Sequence, residues 1–209
     1  MIIILLGAPG AGKGTQAKKI SEKFQIPHIS TGDILRQEIK KKTELGRKAE
    51  ACVKKGHLVS DDLILEIIKH TIQQEEAKNG FLLDGFPRNI TQAKMLEKML
   101  DQLGYSVDKV INIAVNHQEA IRRLSSRMVC PSCKKTTTSS GNEKNTCTHC
   151  GEELAKREDD DLSVIKKRLK VYEQETKPLI DFYGDKGLLV DVDGDASQGK
   201  VTERVFEHL

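Results

Sequence analysis

Five apolar residues, Ile2-Ile3-Ile4-Leu5-Leu6, run directly into Gly7-Ala8-Pro9-Gly10-Ala11-Gly12-Lys13-Gly14-Thr15. No other stretch constrains the fold as much. A short apolar run closed by glycine suits a strand buried on both faces. The glycine-rich turn and the segment after it then complete a strand–turn–helix unit. Such a turn is built for an anion. Glycines let the backbone curl so that successive N–H groups point at phosphate oxygens. The helix opening near Lys13 to Thr15 adds the positive end of its dipole. Lys13 supplies a point charge for the outer phosphates. The generic phosphate loop places Ser or Thr directly after its lysine to ligate magnesium. Here Gly14 intervenes and the hydroxyl arrives at Thr15.

A chain of 209 residues suits one domain with modest insertions. With 37% hydrophobic and 31% charged residues it has apolar side chains for a core and a charged surface. No apolar run approaches the ~20 residues of a membrane helix. The N-terminal run is short, lacks a basic leader and meets glycines instead of a cleavage site. The expectation is a cytoplasmic protein without membrane association. A net charge of +3 gives no argument for nucleic acid.

Short apolar stretches alternate with longer helical ones, the pattern of an α/β protein with a parallel sheet. Strands are expected at Ile2–Leu6, His28–Ile29, Phe81–Asp84, Val110–Ala114 and Leu188–Val192. A helix is expected over Asp61–Asn79. Ser60 can cap it, Asp61 and Asp62 suit its dipole, and Gly80 can end it. Leu63, Ile64, Ile67, Ile68 and Ile72 share one face of that helix. Two stretches break the alternation. Residues 31–59 carry Lys40-Lys41-Lys42 and little apolar periodicity. Residues 128–160 hold four cysteines around a polar middle, Thr136 to Asn145, and need a metal in place of a core. Both read as insertions mounted on the sheet.

Cys130-x2-Cys133 and Cys147-x2-Cys150, thirteen residues apart, match a tetrahedral zinc site. Pro131, Gly141 and Gly151 supply turns. Four thiolates leave no open position, so such a zinc is structural. His149 reads as a solvated loop residue, and Cys52 as a small buried hydrophobe. Arg36, Arg88, Arg123, Arg127, Arg157 and Arg168 fall near strand ends, insertion ends or flanking helices, and guanidinium groups bind phosphate bidentately. Arg123 and Arg127, four apart, share a helix face. Arg47, Arg122 and Arg204 read as surface residues. In Asp84-Gly85-Phe86-Pro87-Arg88 the aspartate ends an apolar strand, where parallel sheets place ligands, and its carboxylate suits a hydrated magnesium. Asp191 to Asp195 resembles the start of a calcium loop, but the sixth position is Ala196 and the twelfth Thr202, so it reads as a strand end and turn.

The glycine-after-lysine loop, Ser30-Thr31-Gly32-Asp33, Asp84 to Arg88 and the arginine set together resemble the adenylate kinases. The resemblance is to the bacterial type with a long zinc-bearing lid, and it covers essentially the whole chain. It implies a three-layer P-loop fold with a five-stranded parallel sheet flanked by helices, plus two inserted mobile subdomains. The core would comprise 1–29, 60–126 and 161–209, the AMP-binding insertion 30–59, and the lid 127–160. By the same resemblance, Gly10, Ala11, Gly12, Lys13, Gly14 and Thr15 would hold ATP with Arg123, Arg127, Thr136, Thr137 and Ala196. AMP would meet Thr31, Arg36, His57, Leu58, Val59, Gly85, Phe86, Pro87, Arg88, Gln92, Arg157 and Arg168. Lys13, Arg88, Arg127, Arg157 and Arg168 would act on the transferring group, and Asp84 would hold magnesium through water. Asp159 and Asp160 would partner the arginines as the lid moves. Relatives with this lid usually carry an aromatic and a histidine shortly after the second cysteine. Here that stretch is Lys134-Lys135-Thr136-Thr137-Thr138, with Thr137 where the aromatic is expected.

The implied reaction is MgATP + AMP ⇌ 2 ADP, serving adenine nucleotide homeostasis, with monomer the family expectation. Two alternatives remain at this level. A UMP/CMP-type kinase shares the loop and the Asp84–Arg88 run, but usually has a short lid without cysteines. A zinc ribbon binding nucleic acid beside an ATPase loop should carry aromatics, and residues 134–149 have none.

Overall fold

The computed structural model describes residues 1–138 and 146–209. The N-terminal apolar run forms β1 (Ile2–Leu6), buried at every position. It lies at the centre of a five-stranded sheet with β2 (His28–Ser30), β3 (Phe81–Asp84), β4 (Lys109–Ala114) and β7 (Leu189–Asp193), in the order β2-β3-β1-β4-β7. Every pairing is parallel, with Ile4 opposite Leu83 on one side and Val110 on the other. A strand with neighbours on both edges and helices on both faces must be apolar throughout, which is why β1 shows no alternation.

The period of two instead decides which layer each residue enters. Ile2, Ile4 and Leu6 join one core with α4 (Asp61–Ile72), α5 (Ile90–Gln102) and α8 (Pro178–Gly184), through Ile68, Leu96 and Leu179. Ile3 and Leu5 join the other with α1 (Lys13–Phe24) and α9 (Gln198–Phe206), through Ala17, Ile20, Val201 and Val205. The result is a three-layer α/β fold, as the resemblance implies.

Residues 31–59 form two helices, α2 (Thr31–Lys41) and α3 (Glu44–Lys55), side by side. Thr43 caps α3 by accepting from Gly46 N–H. Gly46 is needed for the approach, because a Cβ there would lie 2.2 Å from the Glu38 carbonyl oxygen. Farther on, α6 (His117–Ser125) leads into β5 (Arg127–Val129), which pairs antiparallel with β6 (Thr136–Thr138). A bridge between Val129 and Ala155 returns the chain to α7 (Leu162–Val171). Gly141 and the rest of 139–145 lie outside the described residues.

Four expectations are corrected. The helix from Asp61 ends at Ile72, not Asn79, and only a short turn, Glu75–Ala77, follows. After Ile72 the run Gln73-Gln74-Glu75-Glu76 offers nothing apolar to continue the buried stripe. Gly80 therefore sits at the entrance to β3 and does not end a helix. Ser60 occupies the N-cap of α4, but its side chain makes no cap hydrogen bond. Cys52 is half-buried, packed against the first core.

Candidate active site

One large cleft, of about 940 Å³, opens at the carboxyl ends of β1, β2 and β3. The phosphate loop forms its floor. Gly10 has φ +89°, and a Cβ there would lie 2.7 Å from the Ala120 carbonyl oxygen, so both conformation and space require glycine. The turn delivers Gly12 to the N-cap of α1, so the free N–H groups of the first helical turn face the cleft. Lys13 Nζ donates to the carbonyls of Gly7 (2.7 Å) and Ala8 (3.0 Å). Burial brings its ammonium down to about 8, against the opposing pull of Asp84, with Arg88, Arg168 and Arg127 pushing the same way as burial.

Asp84 ends β3 opposite Lys13. Burial would raise its carboxyl, but a His28 hydrogen bond (3.3 Å) and the Lys13 charge outweigh burial and hold it below the usual range. It therefore remains an anion, fit for a hydrated magnesium.

The six arginines singled out from the sequence line the same cleft: Arg36, Arg88, Arg123, Arg127, Arg157 and Arg168. Four are paired. Arg123 donates to Glu119 and to the Gly194 carbonyl, and Arg36 to Asp33. Arg127 and Arg168 both reach Asp160, which is fully buried, and Arg168 also meets Asp159 at 3.1 Å. Asp159 lies 3.7 Å from Arg36, so one carboxylate joins α2 to α7. Arg88 and Arg157 have no carboxylate partner among the described residues. Burial pulls both guanidinium groups down to about 10, with neighbouring arginines (Arg168 for Arg88, Arg36 for Arg157) adding to it.

Gly10 to Thr15, Leu58, Gly85, Pro87, Thr136, Thr137 and Ala196 also line the cleft. The remaining expected residues do not line it. Thr31 is buried and donates to the Gly85 carbonyl at 2.9 Å. Phe86 and Val59 belong to the first core, and His57 is exposed at the end of α3. Gln92 is buried, its Oε1 accepting from Arg88 N–H and its Nε2 donating to Asp61. Arg122 is exposed yet contributes to the rim, and Arg204 pairs with Asp193 at the surface, as does Arg47 with the Lys42 carbonyl. Sequence reasoning missed His28, Glu119, Tyr172 and Thr176 as cleft residues. Only the (i, i+4) spacing of Glu119 and Arg123 carried a signal for any of them.

Cys130, Cys133, Cys147 and Cys150 converge with their Sγ atoms all within 4.8 Å of one another. Two of the separations are 3.4 and 3.5 Å. A zinc tetrahedron with bonds of about 2.3 Å has edges of about 3.8 Å, so the four residues fit the ion. Backbone N–H groups of His149 and Cys150 hold the Cys147 thiol well below its usual range, whereas at Cys150 the Glu152 N–H is outweighed by the neighbouring thiols and burial, which push the thiol up. His149 is exposed. No helix among the described residues is long and apolar enough to cross a membrane.

Comparison with known proteins agrees with this cleft. Residues 5–188 match the family described as adenylate kinase. The chain is 49% identical to adenylate kinase from Caldicellulosiruptor bescii, covering 100% of this chain and 99% of that one. It is 50% identical to adenylate kinase from Caldanaerobacter subterraneus subsp. tengcongensis, covering 100% and 96%. With adenylate kinase from the archaeon Archaeoglobus fulgidus it shares 47% identity over 93% of this chain and 91% of that one. The phosphate loop, the arginine-lined cleft and these full-length matches together place the chain in the adenylate kinase family, a family of nucleotide phosphotransferases.

Proposed function

We propose that the chain transfers the γ-phosphoryl group of magnesium-bound ATP directly to AMP, reversibly, giving two ADP. The observation that carries this reading is Arg88. It is half-buried, its Nε is fixed on the Gly85 carbonyl at 2.7 Å, and no carboxylate among the described residues neutralises it. Both Nη groups are left for an anion in the cleft. AMP supplies one on its single phosphate.

In this reading an AMP phosphate oxygen forms a bond to the γ-phosphorus as the bond to the β-bridging oxygen breaks in line. The second ionisation of a phosphate monoester lies near 6, so the attacking oxygen is already deprotonated at neutral pH and needs no general base. Catalysis then rests on positioning and on cations placed where charge spreads. Gly10 to Thr15 cradle the ATP phosphates, Lys13 spans the outer ones, and Arg123, Arg127, Thr136, Thr137 and Ala196 complete the donor side. Thr31, Arg36, backbone at His57 to Val59, Gly85 to Arg88 and Gln92 form the acceptor side. Arg157 and Arg168 reach the group in flight. Magnesium arriving with ATP would be held through water by Asp84, and would neutralise phosphate charge. The four cysteines would hold one structural zinc.

The core is 1–29, 60–126 and 161–209, with 30–59 closing on AMP and 127–160 closing as a lid over ATP. Support comes from the Arg36–Asp159 and Arg127–Asp160–Arg168 contacts, which tie these segments together. Arginines held by carboxylates can exchange them for phosphate. Closure would keep water from taking the phosphoryl group. The setting is adenine nucleotide balance in the cytoplasm, by a monomer.

Initial rates of ADP formation with ATP and each of AMP, CMP and UMP test the assignment. AMP should exceed the others in kcat/KM by orders of magnitude. Equal or better use of CMP or UMP would assign the chain to pyrimidine nucleotides.

A further inference from the structure

Three hydrogen bonds fix the backbone and Nε of Arg88. Its N–H donates to Gln92 Oε1 and its Nε to the Gly85 carbonyl, each at 2.7 Å. Its own carbonyl accepts from Thr176 Oγ1, also at 2.7 Å, across 88 residues of sequence. The first two bonds are local. The third comes from a segment distant in sequence.

The chain makes a specific adjustment to deliver that hydroxyl. Between α7 and α8 the helix widens into one π turn, Tyr172–Thr176, closed by the bond from Lys177 N–H to the Tyr172 carbonyl at 2.9 Å. Pro178 follows as the first residue of α8 and has no N–H to give, so the α-helical ladder cannot run through. Arg168, Tyr172 and Thr176, four residues apart, all line the cleft. One helical rail thus carries two contacts. Arg168 grips Asp159 and Asp160, and Thr176 grips the backbone of Arg88. The hydroxyl itself has no acidic or basic chemistry to offer.

We infer that Thr176 is a positioning residue for the acceptor nucleotide. It fixes the Arg88 backbone, and through it the guanidinium, relative to the segment that carries Arg168. The inference rests on the reading that Arg88 binds the AMP phosphate. In this role Thr176 acts through Arg88, and removing its hydroxyl loosens one arginine while leaving the donor loop intact.

The test is steady-state kinetics of Thr176→Val, Thr176→Ser and Arg88→Lys beside the parent, varying AMP and ATP separately, with thermal melts of each. Valine keeps the shape and deletes one neutral hydrogen bond, so KM for AMP should rise about fivefold. KM for ATP should stay within about twofold, because Lys13 and its loop are untouched. Serine, which restores the hydroxyl, should restore KM for AMP. Unchanged KM for AMP in Thr176→Val, with a large rise in Arg88→Lys, would overturn the inference and leave the functional reading standing. Equal rises for both substrates, or a fall in melting temperature that tracks the loss of activity, would also overturn it by making Thr176 merely structural. Unchanged KM for AMP in Arg88→Lys would remove the reading itself.

Discussion

Replacing Lys13 with methionine should stabilise the fold while destroying its activity. Burial moves the ammonium from 10.5 to about 8, and Arg88, Arg168 and Arg127 push the same way. A displacement of that size opposes folding by about 3 kcal/mol. Water reaches part of the side chain, which reduces this to about 2 kcal/mol. The folded value lies below the unfolded one, so between about 8 and 10.5 the unfolded chain binds more protons. The penalty is therefore complete below about pH 8 and fades as pH rises toward 10.5. Methionine keeps the unbranched chain but gives up the bonds to the Gly7 and Ala8 carbonyls, a loss of about 1 kcal/mol where water can replace the donor. The net gain is about 1 kcal/mol, a Tm rise of roughly 2–4 °C for a domain of this size. Turnover should move the other way, falling by about 10²–10³ or more with the loss of a cation aimed at developing charge. Melts of both nucleotide-free proteins near pH 7 and pH 9.5, with ADP-formation assays alongside, check the pair of effects. The methionine protein should melt higher near neutrality and lose that advantage in alkali. A lower Tm at neutral pH, or an advantage independent of pH, would refute a buried charge at Lys13 that opposes folding.

Three further outcomes follow from the same geometry. In the parent enzyme kcat/KM for ATP should fall above about pH 8, tenfold per pH unit, as Lys13 deprotonates; Lys13→Arg should lose activity but also lose that alkaline limb. Asp160 is fully buried between Arg127 and Arg168, so Asp160→Ala strips Arg127 of its carboxylate and leaves Arg168 with Asp159 alone, and should cost about 3–5 kcal/mol in chemical denaturation, partly recovered with saturating ATP and AMP. The purified chain should carry one zinc by metal analysis, and Cys147→Ser should release it and lower the melting temperature. Zinc-free protein with unchanged melting would exclude the four-thiolate site.

How legible this was differs between fold and site. β1 and β3 could be read because each is a continuous apolar run closed by a turn residue, and both match their expected limits. The phosphate loop was legible for the same local reason, since all its parts are adjacent in sequence. Helix ends were less so. The stripe of α4 stops at Ile72, and whether a polar run continues a helix is decided by packing that a sequence does not display. Residues 31–59 gave weak periodicity because α2 and α3 bury few side chains, chiefly Leu35 and Ala49. The arginines were individually visible, but their pairing was not. Which of six would lack a carboxylate depends on Asp159 and Asp160 returning to meet Arg36, Arg127 and Arg168. His28 and Thr176 act on Asp84 and on Arg88 from 56 and 88 residues away, beyond the reach of any local pattern.

In the proposed reaction the phosphoryl group passes straight from one nucleotide to the other, with no covalent stop on the protein. The most direct measurement uses ATP whose γ-phosphorus is made chiral by isotopic oxygen and sulfur, with the configuration read in the ADP analogue formed from AMP. A single in-line displacement between positioned nucleotides predicts inversion. Retention would mean two displacements through a protein-bound phosphoryl group, and would rule out direct transfer.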